Sequence, residues 1–310
     1  MPQRQPYTYK VPRRYYRGDV TTPSDVVILV IIALFLVSVG AGALGYYEYK
    51  KHKANSSSTN ISTPVAATDQ SKIPVTTSSQ ASAADGQYLG KTNVPILMYH
   101  YIRPLPPDSD KLGQNLSVTP QNFAKQMAYL QSAGYQNITF DDMRVGKIPT
   151  KPIIITFDDG YSDAYTNAYP ILAKYGQKGV FYVITGFVGK DGYLTWQQIL
   201  EMSQNGMILG SHSVSHLDLS SSSLSNSQIL SQLTNSKKAL ESKLGITIND
   251  FCYPSGKATK TTINDVYDAG YKTATSTKEN IVQSGAFWLW LPRLRIENST
   301  NLSTLLVQFK

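Results

Sequence analysis

Residues 152–157 read Pro152-Ile-Ile-Ile-Thr-Phe157 and continue directly into Asp158-Asp159-Gly160. An isoleucine-rich run of this length, bounded by turn residues, is typical of a strand that is buried on both faces. The two aspartates then lie at the carboxyl end of that strand, where the active sites of parallel α/β folds are found. Neighbouring side chains at a strand end point in different directions, so we expect two separate roles. The alternative is that one aspartate caps the next helix and the other is solvated.

Similar apolar runs lie on both sides of this stretch and alternate with helical patterns. The further predicted strands are Pro95–Tyr99, Gly179–Ile184, Met207–Gly210, Phe251–Tyr253 and Tyr271–Thr275. Helices are predicted to begin at Thr119-Pro120, to cover Ala164–Tyr175, to follow Thr195, to begin near Ser225 and to cover Ile263–Ala269. Strands that alternate with helices over about 220 residues predict an α/β barrel or a doubly wound sheet. The pattern alone does not separate these two folds.

A second polar stretch, His212-Ser-Val-Ser-His216, follows the predicted strand that ends at Gly210. Histidines at positions i and i+4 share one face of a helical turn and can chelate one divalent ion. Asp159 can complete a set of two histidines and one carboxylate, which leaves a position open for water, as in catalytic zinc sites. A histidine pair on the surface, without a metal, is the alternative.

Together these motifs resemble those of the polysaccharide deacetylases of carbohydrate esterase family 4. The resemblance rests on TFDDG at 156–160 and HSVSH at 212–216, each after an apolar strand, and it extends over residues 94–297. It implies a distorted (β/α)7-type barrel. It also implies that Asp158 is the general base and that one divalent metal ion, expected to be zinc, is held by Asp159, His212 and His216.

The sequence departs from the usual family pattern in its histidines. The family usually has its general acid in a Leu-x-His motif near the C-terminus, but no histidine follows His216 here. His100, at the end of the first predicted strand, is the one other histidine of the domain. This arrangement is similar to the branch that contains bacterial poly-N-acetylglucosamine deacetylases, in which the order of motifs is circularly permuted. We therefore predict that His100 protonates the leaving amine; a structural histidine that caps the strand is the alternative.

The third motif of the family is represented by Phe251-Cys-Tyr-Pro-Ser-Gly256, in which the usual arginine is absent. By position, the backbone N–H of Ser255 would donate to the oxyanion. Arg293, in Leu291-Pro-Arg-Leu-Arg295, either replaces the missing arginine by pairing with Asp158 or is a surface residue. Trp288 and Trp290 either line a sugar-binding groove or belong to the core.

The remaining predictions concern the N-terminal part of the 310-residue chain. Residues 26–47 are uncharged and predict a transmembrane signal anchor of roughly 33 Å, with a cleaved signal peptide as the alternative. Residues 1–25 are then a cytoplasmic tail, residues 48–90 a Ser/Thr-rich disordered linker, and residues 91–310 the deacetylase domain. This order predicts a single-pass protein of the cell membrane with an extracellular catalytic domain.

Composition excludes several other classes of protein. One cysteine cannot form an internal disulfide or a cysteine-rich zinc site. Most of the net charge of +8 lies in the first 53 residues, so the domain is nearly balanced and a nucleic-acid partner is not expected. We predict a monomeric catalytic domain that removes N-acetyl groups from an N-acetylglucosamine polymer, either peptidoglycan or poly-N-acetylglucosamine. The alternatives are an O-deacetylase of acetylated wall polymer or xylan and a catalytically silent module that binds wall polysaccharide.

Overall fold

The computed structural model describes residues 93–105 and 111–309. The predicted cytoplasmic tail, the membrane anchor at 26–47 and the linker at 48–90 lie outside the described residues. Within the described residues, no helix is both long enough and apolar enough to span a bilayer.

Seven parallel strands form a closed barrel. They are β1 Ile96–Tyr99, β2 Pro152–Phe157, β3 Val180–Val183, β4 Ile208–Ser211, β5 Asp250–Cys252, β6 Thr273–Glu279 and β7 Leu291–Arg295. Strands that follow one another in the chain are neighbours in the barrel, and β1 pairs with both β2 and β7. In the pairing that closes the barrel, Leu294 of β7 lies opposite Leu97 of β1. The structure thus decides between the two predicted folds in favour of the barrel.

Helices and short strands surround the barrel. The helices are α1 Lys111–Leu116, α2 Pro120–Ser132, α3 Phe140–Arg144, α4 Tyr169–Lys174, α5 Trp196–Gln204, α6 Asn226–Leu244, α7 Lys260–Asp268 and α8 Leu302–Val307. Outside the barrel, Asn93–Val94 pairs with Val282–Gln283, Tyr101–Ile102 pairs with Ser117–Val118, and Gln136–Asn137 extends the sheet beside the start of β2.

The predicted helix starts are confirmed at Thr119 and Ser225, whose side chains cap α2 and α6. The helix predicted over Ala164–Tyr175 is confirmed, but its first part is not α-helical. Ala164–Ala168 forms a π-helical turn, and the α-helix begins only at Tyr169. Pro170 has no N–H to donate to the preceding turn, which interrupts the regular hydrogen-bond ladder at this point.

Side chains alternate between the two faces of the barrel wall. Leu97 and Phe157 point outward into the layer beneath the helices, where Phe157 and Phe181 stack with ring centroids 4.6 Å apart. Ile96 and Ile154 belong to a second apolar cluster that fills the barrel interior. Because the side-chain period of a strand is two, the inward positions of β2 that follow Ile154 are Thr156 and then Asp158. The barrel interior is therefore apolar in its lower part and polar toward the carboxyl ends of its strands.

Candidate active site

The loops that follow the barrel strands enclose a cavity of about 440 Å³ at the carboxyl end of the barrel. It is lined by all of the predicted site residues except Arg293, which lies beneath it. The cavity-lining residues are His100, Leu112, Asn115, Leu116, Asp158, Asp159, Tyr161, His212, His216, Tyr253, Ser255, Thr277 and Arg295. Six side chains that are far apart in the sequence thus meet where parallel barrels carry their active sites.

Asp158 is bound at both carboxylate oxygens by Arg293. The two guanidinium nitrogens donate to Oδ1 and Oδ2 at 2.7 Å each, and both side chains are almost fully buried. Arg293 is itself fixed by bonds to the Thr156 hydroxyl at 3.0 Å and to the Ser276 carbonyl at 2.9 Å. Burial raises the pKa of Asp158, but the paired guanidinium outweighs it and holds that pKa well below its usual range. Of the two alternatives for Arg293, the structure shows the pairing with Asp158.

Asp159 points away from Asp158 and toward the two histidines. Its Oδ1 lies 3.3 Å from His212 Nε2 and 3.5 Å from His216 Nε2. The three potential ligand atoms all lie within 4.8 Å of one another. Asp159 has a φ of 72°, a left-handed conformation that is uncommon outside glycine and that turns its side chain out of the strand direction. The two aspartates therefore serve different neighbours, as the sequence predicted.

The two histidines do not share a helical turn, so that expectation is wrong. Residues 213–215 form a turn after β4, and both Ser213 and His216 have positive φ angles, of 66° and 56°. Gln232 of α6 stabilises this turn, because its side-chain oxygen accepts bonds from the N–H groups of Val214 at 3.1 Å and Ser215 at 2.9 Å. The same spacing of four residues thus brings the imidazoles together through left-handed turn geometry.

The chemistry of this triad fits a divalent metal ion. His212 Nδ1 lies 2.7 Å from the carbonyl oxygen of Cys252. With Nδ1 at the carbonyl, Nε2 is the nitrogen that faces Asp159. Burial lowers the pKa of His212, but Cys252 and Asp159 outweigh burial and raise that pKa, so a metal ion bound at Nε2 would displace a proton. Burial, together with the neighbouring His212, lowers the pKa of His216, which favours the neutral imidazole that metals bind.

A second group of possible ligands, formed by Asp158, His212 and Cys252, is less suited to a metal. Both carboxylate oxygens of Asp158 are occupied by Arg293, and the same guanidinium lies 3.2 Å from the Cys252 sulfur. A metal cation at this position would be placed against a buried positive charge. Of the two groups, the one that contains Asp159 is therefore better suited to a metal ion.

His100 lies beside the paired aspartate, with its Nε2 3.8 Å from Asp158 Oδ2. Burial lowers its pKa and outweighs the opposite influence of Asp158 and Asp159, while Arg293 and Arg295 act in the same direction as burial. On the opposite wall, Ser255 lies in a tight turn after β5 with a φ of 55°. The following residue, Gly256, permits this turn, because a Cβ there would lie 2.5 Å from the backbone nitrogen of Thr277.

Comparisons with known proteins identify the family. The chain is 32% identical over 208 residues to YxkH of Bacillus subtilis (strain 168), which bears the name of a polysaccharide deacetylase; the match covers 66% of this chain and 71% of YxkH. This chain belongs to the polysaccharide deacetylase family. The sequence profile of that family, described as polysaccharide deacetylase, matches residues 145–274.

Two further comparisons agree with this family. The poly-beta-1,6-N-acetyl-D-glucosamine N-deacetylase of Staphylococcus aureus (strain MSSA476) is 27% identical over 206 residues, which cover 61% of this chain and 71% of that enzyme. Among solved structures, Streptococcus pyogenes deacetylase PplD in complex with acetate superposes with a TM-score of 0.66 at 31% identity, covering 71% of this chain and 99% of PplD. The chain is thus a polysaccharide deacetylase, a hydrolase of a family whose members depend on a metal ion.

The family profile includes Asp158, Asp159, His212 and His216 but extends to neither His100 nor Arg293. The assignment of these two residues therefore depends on the geometry of this deacetylase. The sequence prediction also missed cavity residues, most notably Tyr161 and Arg295. Tyr161 directly follows the TFDDG motif, and Arg295 shares the inward-facing side of β7 with Arg293. Their positions relative to these two strands were therefore the signal by which the sequence could have identified them as cavity residues.

The two tryptophans for which the sequence left alternatives open do not line the cavity. Trp288 packs against the apolar cluster of the barrel interior, and Trp290 packs against the outer cluster. The Trp290 ring lies 5.2 Å from the Tyr253 ring. Of the two alternatives, the structure favours a place in the core.

Proposed function

We propose that this deacetylase is a zinc-dependent enzyme that removes N-acetyl groups from an extracellular N-acetylglucosamine-containing polysaccharide, either peptidoglycan or poly-N-acetylglucosamine. One observation carries the proposal. A buried, ionised carboxylate and a triad of two histidines and one carboxylate open into the same cavity, with an imidazole beside the carboxylate. Hydrolysis of an amide needs a base, an acid and an electrophile in one place, and this cavity brings candidates for all three together.

Asp158 is proposed as the base. Its lowered pKa keeps the carboxylate ionised throughout the neutral range, which is the form that accepts a proton. The same lowering weakens Asp158 as a base, so the attacking water would have to be made more acidic, as a metal ion bound nearby would do. The Arg293 fork fixes the orientation of both oxygens, because it binds them in parallel. The base therefore needs no rearrangement when the substrate enters.

Asp159, His212 and His216 are proposed to hold the ion, and zinc fits because two imidazoles and one carboxylate form the protein ligand set of many catalytic zinc sites. When bound there, the ion would supply Lewis-acid chemistry at the acetyl carbonyl and at a water molecule. His100 would protonate the leaving amine, and its position 3.8 Å from Asp158 gives the proton taken up by the base a short path to the acid. The backbone N–H of Ser255 would stabilise the oxyanion from the opposite wall.

The relatives support the choice of substrate. The Staphylococcus aureus relative is named for a poly-beta-1,6-N-acetyl-D-glucosamine substrate, and the PplD structure holds acetate, which is the product of any deacetylation. An extracellular polymer also agrees with the proposed membrane anchor at residues 26–47 and the proposed linker at 48–90, which would place a monomeric catalytic domain outside the cell. O-deacetylation of an acetylated wall polymer or xylan is the second candidate, because the same groups can hydrolyse an ester.

The test is an acetate-release assay with the full chain on four substrates: poly-N-acetylglucosamine, peptidoglycan, chitin oligomers and acetylated xylan. We expect release from at least one of the N-acetylated polymers, loss of activity with a chelator and recovery with zinc. Asp159→Ala and His212→Ala should lose both activity and bound metal, while the control Asp268→Ala, an exposed aspartate on α7, should keep both. Release from acetylated xylan alone would favour the O-deacetylase. Full activity in Asp159→Ala would remove the metal assignment, and binding without any hydrolysis would favour the silent module.

A further inference from the structure

Side-chain oxygens bind the N–H groups of the turn that carries the two histidines, residues 212–216, which we call the histidine turn. Ser213 N–H donates to the Ser211 hydroxyl at 3.3 Å, and His216 N–H donates to the Ser213 hydroxyl at 3.0 Å. Ser213 and His216 both have positive φ angles, a conformation that persists only where surrounding contacts impose it. The direction of the His216 imidazole therefore depends on the contacts that fix this backbone.

Gln232 of α6 binds two further N–H groups of the histidine turn. Its Oε1 accepts from Val214 N–H at 3.1 Å, from Ser215 N–H at 2.9 Å and from the Ser215 hydroxyl at 3.2 Å. Ser211 and Ser213 belong to the same segment as the histidines, whereas Gln232 belongs to a long helix that packs beside β4. Gln232 thus ties the turn to the framework around the barrel.

The inner face of an amphipathic helix is normally apolar, yet α6 has two polar side chains there. Gln232 and Ser236 follow the buried Ile229 at positions three and seven, so all three lie on one side of the helix. The Ser236 hydroxyl lies 2.7 Å from the Ser211 hydroxyl at the end of β4. The polar groups of α6 therefore contact both the end of the strand and the turn that follows it.

The Gln232 amide acts on the turn through its oxygen. Among the described residues, no group accepts a hydrogen bond from its Nε2. A carboxylate at this position could accept the same bonds, whereas an apolar side chain of the same length could accept none. Loss of the oxygen would leave two N–H groups of a half-buried turn without their partner. The turn could then relax, and His216 Nε2 would move from its place 3.5 Å from Asp159 Oδ1.

We propose that Gln232 is a positioning residue for metal binding, because it holds the histidine turn in the geometry in which His216 faces the other two ligands. The inference rests on the proposed metal site and extends it to a residue that does not line the cavity. His212 is fixed independently, since its Nδ1 lies 2.7 Å from the Cys252 carbonyl oxygen, so His216 is the ligand that depends most on the turn. Loss of a residue that orients metal ligands typically weakens metal binding by about 10–100-fold.

The experiment titrates zinc into the full chain after treatment with a chelator and measures Kd by calorimetry. Gln232→Met keeps the length of the side chain and loses the acceptor, so we expect Kd to rise about tenfold or more. Gln232→Glu keeps an acceptor oxygen and should retain the Kd within about threefold. Gln228→Met is the matched control. Gln228 lies one turn earlier on α6 and caps the helix through Ser225, so its loss weakens the helix and should leave the Kd unchanged.

A second measurement follows the turn itself and needs no metal. Amide hydrogen exchange of Val214 and Ser215 in the metal-free chain should be faster in Gln232→Met than in the unaltered chain. It should not change in Gln228→Met, which alters the same helix without contacting the turn. Urea unfolding of each variant shows how much of any effect comes from a less stable chain. Unchanged exchange in Gln232→Met would overturn the proposal.

The outcomes separate this proposal from the proposed metal site. Asp159→Ala should lose zinc binding, and if it binds zinc as the unaltered chain does, the metal site is wrong and the role of Gln232 fails with it. If Asp159→Ala loses zinc but Gln232→Met keeps the original Kd, the positioning role is wrong while the metal site stands. The same holds if Gln228→Met weakens binding as much as Gln232→Met. Weaker binding in Gln232→Met, with retention in Gln232→Glu and Gln228→Met, supports both proposals.

Discussion

An arginine–aspartate pair lies at each end of the barrel, and the two buried carboxylates behave in opposite ways. At the carboxyl end, Arg293 binds both oxygens of Asp158 at 2.7 Å. At the amino end, which we call the floor of the barrel, Arg144 of α3 donates to one carboxylate oxygen of Asp250 at 3.0 Å. Its other terminal nitrogen binds Asp141 on the same helix. Thr273 also donates to Asp250.

The pKa of Asp158 is lowered and that of Asp250 is raised. Burial is the largest influence on both groups and raises both pKa values. At Asp158, the buried guanidinium of Arg293 binds both carboxylate oxygens, and this outweighs the effect of burial on the pKa. At Asp250, Arg144 is partly exposed, binds one oxygen and also binds Asp141, and the effect of burial prevails. Two contacts from Arg293, with His100 and His212 nearby, thus hold Asp158 as the ion, whereas one contact from Arg144, with the carboxylate of Asp141 nearby, does not offset the burial of Asp250.

The largest effect is expected from Asp158→Asn. The change leaves the buried Arg293 without its counter-ion, and breaking such a pair typically costs about 3–5 kcal/mol in the free energy of unfolding. Removal of the proposed base should also lower kcat/KM by about 10²–10⁴. Urea unfolding and acetate release measure the two effects. A variant as stable as the unaltered chain would show that the fork contributes little to stability.

A smaller effect is expected from Arg293→Lys, which keeps the charge and loses the fork. Lysine can bind only one of the two oxygens well, so the orientation of Asp158 is no longer fixed. We expect kcat/KM to fall about tenfold or more while the chain still folds. Arg144→Lys at the floor is the matched control and should leave kcat/KM unchanged, because that pair lies at the far end of the barrel. An unchanged rate in both variants would mean that charge alone suffices at Asp158.

Much of this arrangement could be predicted from the sequence, because it is local. The β2 strand was predicted with its observed bounds, and the capping residues Thr119 and Ser225 were correct, since apolar periodicity and caps depend on residues a few positions apart. The two aspartates and the two histidines were found because they follow predicted strands, whereas the roles of His100, Ser255 and Arg293 came from the resemblance to the family.

The features that could not be predicted depend on contacts between residues that are far apart in the sequence, and no local pattern indicates such contacts. Barrel closure requires β1 to pair with β7 across almost the whole domain, and Arg293 meets Asp158 from a position 135 residues away. The histidine turn was misjudged because positive φ at non-glycine residues such as Ser213 is decided by tertiary contacts, here with Gln232.

The smallest effect is expected from Asp250→Asn, and its pH dependence tests the comparison most directly. Because the pKa of Asp250 is higher in the folded protein than in the unfolded chain, its contribution to stability is complete below the unfolded pKa of about 3.9 and is lost as the pH rises through the folded pKa. The asparagine variant does not have that loss, so its stability relative to the unaltered chain should increase between pH 4 and pH 7. At pH 7 the free energies of unfolding of the variant and the unaltered chain should differ by about 1 kcal/mol or less.

Asp158→Asn should show the opposite pH dependence, confined to pH values below about 4, because the stability contributed by a group with a lowered pKa is lost only as the pH falls. Urea unfolding at a series of pH values distinguishes these cases. A stability difference for Asp250→Asn that does not vary with pH would mean that one contact with Arg144 holds the floor aspartate ionised after all.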